Sequence, residues 1–232
     1  MLDKLRREIK RSANKEKAQI MQKFFKTGEG EYGFGDIFLG LTVPQSREIA
    51  IKYQELSFEE VAELLKSEIH EERLIALLIL VHKFQTDEML QRRIYEFYMK
   101  NVKYVNNWDL VDLSADKIVG AYLSDKPKDV LKKFAKSENI WEKRIAMVAT
   151  YNFIKNEEYD DALTIAEILV NDKNDLIQKA VGWMLREIGK RNLKSEENFL
   201  KKYHKEMGRT ALRYAIEKFP EKIRLSYLNP AL

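Results

Sequence analysis

The sequence has 232 residues, of which 45% are hydrophobic and 34% charged, with a net charge of +4 and no cysteine. That apolar share supports a sizeable core and excludes collagen-like, mucin-like and disordered classes, while the missing cysteines exclude disulfide scaffolds, thiolate metal sites and cysteine nucleophiles. Nine glycines and four prolines leave few positions for the tight turns of an all-β fold, so a mostly helical chain from a reducing cytoplasm is expected.

Apolar residues recur with helical period over about 2–26, 44–54, 57–66, 69–84, 87–101, 107–124, 127–136, 139–155, 158–170, 173–190, 195–206 and 209–228. The first segment is basic, with nine Lys/Arg against three Asp/Glu over residues 1–26, and reads as a basic N-terminal cap. It lacks the apolar run of a signal peptide, and no stretch reaches the roughly 18 apolar residues of a membrane span, so a soluble, unprocessed chain without a membrane partner is expected. Residues 27–98 reverse the charge, with seven basic against fourteen acidic, and 183–213 restore it with nine against four. Two positive regions thus flank an acidic one, which suits either a bound polyanion or an ordinary solvated surface.

Between the first two helical segments, Gly28, Gly30, Gly33, Gly35 and Gly40 crowd into KTGEGEYGFGDIFLG, ahead of a Pro44 that opens the next helix. The spacing matches no phosphate-binding loop, and Glu29, Glu31 and Asp36 would repel phosphate. A short β-hairpin near residues 27–38, turning at Gly28–Gly30 with Tyr32 and Phe34 alternating, and a mobile loop are the two readings.

The helical segments also repeat. EERLIALLILVHKF (71–84), EKRIAMVATYNFIK (142–155) and IQKAVGWMLREIGK (177–190) superpose Arg73, Arg144 and Lys179, and WDLVDLSADKIVGAYL (108–123) falls where a further copy is due. A period of about 35 residues marks stacked helix pairs, so the fold expected is an all-α curved α-solenoid of about six pairs in one domain, 1–232.

On the helix at 173–190, Ile177, Val181, Met184, Leu185 and Ile188 form a core stripe. Trp183 points away from it, on a face shared with Lys179, Arg186 and Lys190. An indole among cations fits a surface that stacks on sugars or bases and pairs with phosphates, and it equally fits packing against a neighbouring repeat. Trp108 and Asp112 lie one turn apart on a face that Ala115 and Val119 continue without further charge. Asp112 there serves either chemistry or a structural ion pair with Arg144, while Asp109 and Asp116 read as solvent-facing or capping residues. His70, His82 and His204 share no ligand spacing, so neither a metal nor another cofactor is expected.

Three blocks, NNWDLVD (106–112), SENIWEKRIAM (137–147) and IQKAVGWMLREIGK (177–190), resemble the HEAT-like-repeat DNA alkylation-repair proteins, the AlkD-type family. The likeness runs from about Lys17 to the C-terminus. It implies a monofunctional DNA glycosylase, a hydrolase of N-glycosidic bonds that removes N3- and N7-alkylated purines from duplex DNA without flipping the base. Carried over by motif, Asp112 is catalytic, Trp108 and Trp183 contact the deoxyribose of the lesion, Arg144 holds DNA and Arg186 stands beside Trp183; the helix-face count adds Lys179 and Lys190 to the side expected to face DNA. A monomer in the cytoplasm, associated with the nucleoid when bound to DNA, is implied. Two features differ from that branch. Asn107 stands where many members carry a second aromatic, and the 27–38 segment is similar to the β-hairpin of the AlkF-type sister branch, whose members bind three-way and four-way DNA junctions without hydrolysis. Branched-DNA binding is therefore the alternative function, and a protein-interaction scaffold the third.

Overall fold

The computed structural model describes residues 1–228. Over these the regular structure is helical, and the single strand-like pairing among them is a parallel bridge between Ile37 and Ile69. The all-α expectation holds. The expected domain, 1–232, ends on four residues outside the described ones. No helix among the described residues is long and apolar enough to cross a membrane.

Short polar side chains set many of the helix starts. Asn14 splits the first expected segment into Leu2–Arg11 and Lys15–Phe24, because its carboxamide takes the N–H of Lys17 at 3.0 Å while its own N–H donates to the Leu39 carbonyl at 2.8 Å. Ser57 and Glu60 form a capping box at Phe58–Leu65, and Pro44 sits in the first turn of Val43–Lys52. Asn139, Asn174 and Asn192 cap Ile140–Ala149, Asp175–Gly189 and Leu193–Tyr203 in the same way.

The chain forms two compact units, Met1–Ile118 and a second that begins at Val119. In the first, the helix His70–Thr86 packs against Val43–Lys52, Phe58–Leu65 and Gln91–Lys100 and is buried on nearly every side. A helix apolar all round must be enclosed, which fixes it as the centre of this unit. The N-terminal helix closes one side with Leu2, Leu5 and Ile9 buried. Its basic face is partly neutralised, since Arg6 pairs with Glu63 at 2.8 Å and with Glu72 at 3.3 Å.

In the second unit, Asp175–Gly189 packs against Ile140–Ala149, Leu193–Tyr203 and Arg209–Ala215. The expected stripe of Ile177, Val181, Met184, Leu185 and Ile188 is fully buried. Gly182 lets the Arg209–Ala215 helix approach closely, for a Cβ there would fall 2.3 Å from the Ala211 carbonyl oxygen. Gly182→Ala is expected to destabilise the protein by about 1–3 kcal/mol through overpacking, read as a lowered midpoint in urea with an unchanged slope.

Two further expectations about the elements need correction. The helix expected over 107–124 is broken into Trp108–Asp112, a π-helical turn Asp116–Gly120 and Ala121–Leu123. The Ser114 hydroxyl donates to the Leu110 carbonyl at 2.5 Å and lies 3.1 Å from the Tyr98 hydroxyl, a local bond that competes with the regular ladder. Ala115 and Val119 thus follow the break and are buried rather than extending the face of Trp108.

The second correction concerns residues 27–38, which form no hairpin. Their backbone closes successive turns, with Glu31 donating to Gly28 at 3.1 Å, Phe34 to Glu31 at 3.1 Å and Asp36 to Gly33 at 3.0 Å. Donors used locally cannot form a cross-strand ladder. A Cβ added at Gly33 would collide with the Phe25 carbonyl oxygen, so the segment lies against the chain before it instead of projecting. Just beyond, the buried Glu71 carboxylate takes the N–H groups of Leu39, Gly40 and Leu41 at 2.9, 2.7 and 3.2 Å and holds these residues to the central helix.

Candidate nucleic-acid interface

Trp108 and Asp112 open and close one five-residue helix in the first unit. So short a helix has little stability of its own and must be held by what surrounds it. Asn107 caps it, with its side-chain oxygen accepting the Trp108 N–H at 2.8 Å. The half-buried indole stacks on Phe25 at 4.8 Å and 5°, and meets the edge of Phe24 at 5.8 Å. The column continues from Phe25 to Phe38 at 4.6 Å and from Phe38 to the His70 ring at 4.3 Å. Phe24 remains 64% exposed at the end of the basic helix Lys15–Phe24. Asp112 is half-buried at the helix C-terminus.

Beside the column lies a buried polar network that spacing did not reveal. His70, 1% exposed, places Nδ1 at 3.0 Å from Asp36 Oδ2 and Nε2 at 2.8 Å from Asp109 Oδ2. Asp36 also accepts from Arg73 at 2.6 Å and from the Asn107 amide at 3.0 Å. Burial disfavours the imidazolium, but the charge and hydrogen bond of Asp109, with the bond to Asp36, outweigh it and push His70 up to about 9. Burial likewise opposes ionisation of Asp36, and the bonds from His70 and Asn107 and the Arg73 charge leave it below the ordinary carboxylate value.

Asp109, expected to face solvent or act as a cap, is buried; one oxygen takes the Leu110 N–H at 2.8 Å and the other faces His70. Asp116 is also buried, 3.0 Å from Lys117. Asn107 has a positive role where an aromatic was the alternative, since it both caps the helix and ties it to Asp36.

The remaining site residues read from the sequence lie in the second unit. Trp183 is half-buried, 5.9 Å from the Tyr151 ring, over which Lys155 and Arg191 place their charges at 5.0 and 5.9 Å. Lys179 pairs with Asp175 at 2.7 Å, Lys190 with Glu187 at 2.5 Å, and Arg186 with Glu217. Arg144 is buried and donates to the Leu176 carbonyl at 2.6 Å. Tyr151, Lys155 and Arg191 were not singled out for binding, although an aromatic four residues before a lysine is a helical-face signal that the sequence carries.

A family described as DNA alkylation repair enzyme matches residues 5–219. Among solved structures, a "predicted DNA alkylation repair enzyme" from Enterococcus faecalis is similar at 18% identity and a TM-score of 0.69, covering 90% of this chain and 98% of its own. AlkD2 from Streptococcus mutans is similar at 19% identity and a TM-score of 0.57, covering 89% and 99%. Identities this low speak for a shared fold. None of the curated proteins matches the chain.

Proposed function

Because the chain belongs to the DNA alkylation repair enzyme family, we propose that it hydrolyses the N-glycosidic bond of N3- and N7-alkylated purines in duplex DNA without flipping the base. The observation that carries this reading is the Trp108–Asp112 pair, an indole clamped by Phe25 and Phe24 one helical turn from a half-buried carboxylate.

The chemistry needs little more. An N3- or N7-alkylated purine is already cationic, so when the C1′–N bond breaks its electron pair neutralises the base, and no general acid is required. Positive charge passes to the sugar. A fixed carboxylate stabilises that cation where it develops and orients the water whose oxygen bonds to C1′ and whose proton is released. Indole faces add cation–π attraction, the role proposed for Trp108 and Trp183. No pocket for the base is then needed, in contrast to enzymes that extrude their target.

Lys179, Lys190, Arg186 and Arg144 are assigned to DNA phosphates. The exposed pair Lys179–Asp175 is worth at most about 1 kcal/mol, so Lys179 can exchange its carboxylate for a phosphate at little cost. The reading takes the chain as one HEAT-like-repeat DNA-binding domain acting as a cytoplasmic monomer.

The test is release of free base from methylated duplex DNA. Wild type is expected to release 7-methylguanine, and its DNA affinity to fall steeply with salt, with a log–log slope of about −0.9 for each phosphate neutralised. Affinity independent of salt would overturn the phosphate assignment. Branched-DNA binding remains a second reading on one observation, the 67% exposure of Phe34 on the glycine-rich segment. Under it, Phe34→Ser removes the preference for a four-way junction over linear duplex; under the glycosylase reading it leaves base release unchanged.

A further inference from the structure

We propose that His70 is the positioning residue for the Trp108–Asp112 helix, clamped as an imidazolium between Asp36 and Asp109. The proposal deepens the glycosylase reading and rests on it for its kinetic arm alone.

The protonation state follows from the hydrogen bonds. Carboxylates only accept, and a neutral imidazole carries one N–H, so it could satisfy either Asp36 or Asp109 but not both. Two bonds, at 3.0 and 2.8 Å, require both ring nitrogens to donate. The charges balance around it. Asp36 and Asp109 face His70 and Arg73, while Glu71 turns to the N–H groups of Leu39, Gly40 and Leu41, and Glu72 to Arg6. The upward shift of His70 to about 9 agrees with this geometry.

The network grips the helix on both sides of Trp108. Asp109, the next residue, is held by His70, and Asn107, the preceding one, is held by Asp36, the other partner of His70. The same imidazole ends the ring column that runs through Phe38 and Phe25 to the indole. One charged side chain from the central helix thus fixes both the backbone and the ring of Trp108, and with them the start of the turn that ends in Asp112. Nothing in this role requires His70 to touch DNA.

Three measurements on the intact protein test it. In wild type, NMR titration of the His70 imidazole should show it charged up to about pH 9. In the Trp141→Phe/Trp183→Phe background, His70→Gln should shift the emission of the remaining Trp108. On methylated duplex, His70→Gln should lower kcat by about 10²-fold with KM nearly unchanged, the expected loss for an ångström of misplacement. The fall in wild-type kcat that accompanies deprotonation near pH 9 should be absent from the variant. Asp109→Asn, which keeps the shape, should reproduce the kcat loss. If His70 titrates near 6.5, or if Trp108 emission and kcat are unchanged in a folded His70→Gln, the proposal fails. Should His70→Gln not fold, the wild-type titration and Asp109→Asn decide. A wild type that releases no base overturns the glycosylase reading, and the titration and emission still decide the role of His70.

Discussion

Asp112→Asn is expected to cut base release by about 10²–10³-fold while leaving affinity for methylated duplex unchanged or raised. The amide preserves the shape of the side chain and removes the charge proposed to face the sugar cation. It also removes a carboxylate from the neighbourhood of phosphates, which relieves repulsion and accounts for the expected direction of the affinity change. Single-turnover release and equilibrium binding on the same oligonucleotide separate the two effects. Normal release by the variant would falsify the catalytic role. A structural role alone would appear as a lowered melting temperature with release per folded molecule intact.

Stability should depend on pH through the buried network, with two limbs of opposite sign. His70 is raised from 6.5 to about 9, so its contribution is complete below pH 6.5 and is lost as the pH climbs through 9, about 3 kcal/mol in all at about 1.4 kcal/mol per pH unit. Asp36 is lowered from 3.8, so its contribution is present above pH 3.8 and is lost as the pH falls below that value. The network's own share of stability, read in urea as the difference between wild type and His70→Gln across a pH series, should therefore give a plateau between about pH 4 and 6.5 that declines on either side. Asp36→Ala should lower that plateau by about 3–5 kcal/mol, since it leaves the Arg73 guanidinium buried without its carboxylate and His70 with one partner. The alkaline limb of the variant should still begin at about pH 6.5 but end at lower pH and be smaller, because one of the two carboxylates that hold the proton is gone. A flat difference between wild type and His70→Gln from pH 6.5 to 9.5 would show that His70 is not charged in the folded state.

Much of the fold is legible in the sequence because helices are set locally. The 3.6-residue apolar stripe marks Asp175–Gly189 through Ile177, Val181, Met184, Leu185 and Ile188, all of which are buried. Caps act within three residues, so Ser57, Asn139 and Asn174 announce their helices. The repeat is legible for the same reason: the helices opening at His70, Ile140 and Asp175 keep the spacing by which their sequences superpose. Even Trp108 and Asp112 could be placed on one turn by counting along a helix.

What the linear order does not contain is which distant residues meet. Asp36 and His70 are 34 residues apart and His70 and Asp109 39, on segments whose own patterns give no hint of pairing. Counting along the chain made Asp109 a solvent-facing or capping residue and left 27–38 as either a hairpin or a mobile loop. The packed structure draws Asp36 into the core against His70, Arg73 and Asn107, and a segment anchored at that point closes into turns instead of projecting as a ribbon. The break at Ser114 has the same origin, since the hydroxyl that interrupts the helix is itself met by Tyr98 from a neighbouring one. Periodicity and capping are properties of neighbours in sequence, so the sequence by itself determines the long, capped helices. Burying a charge is affordable only beside its partner, so tertiary structure decided which of its polar residues would form the network behind Trp108.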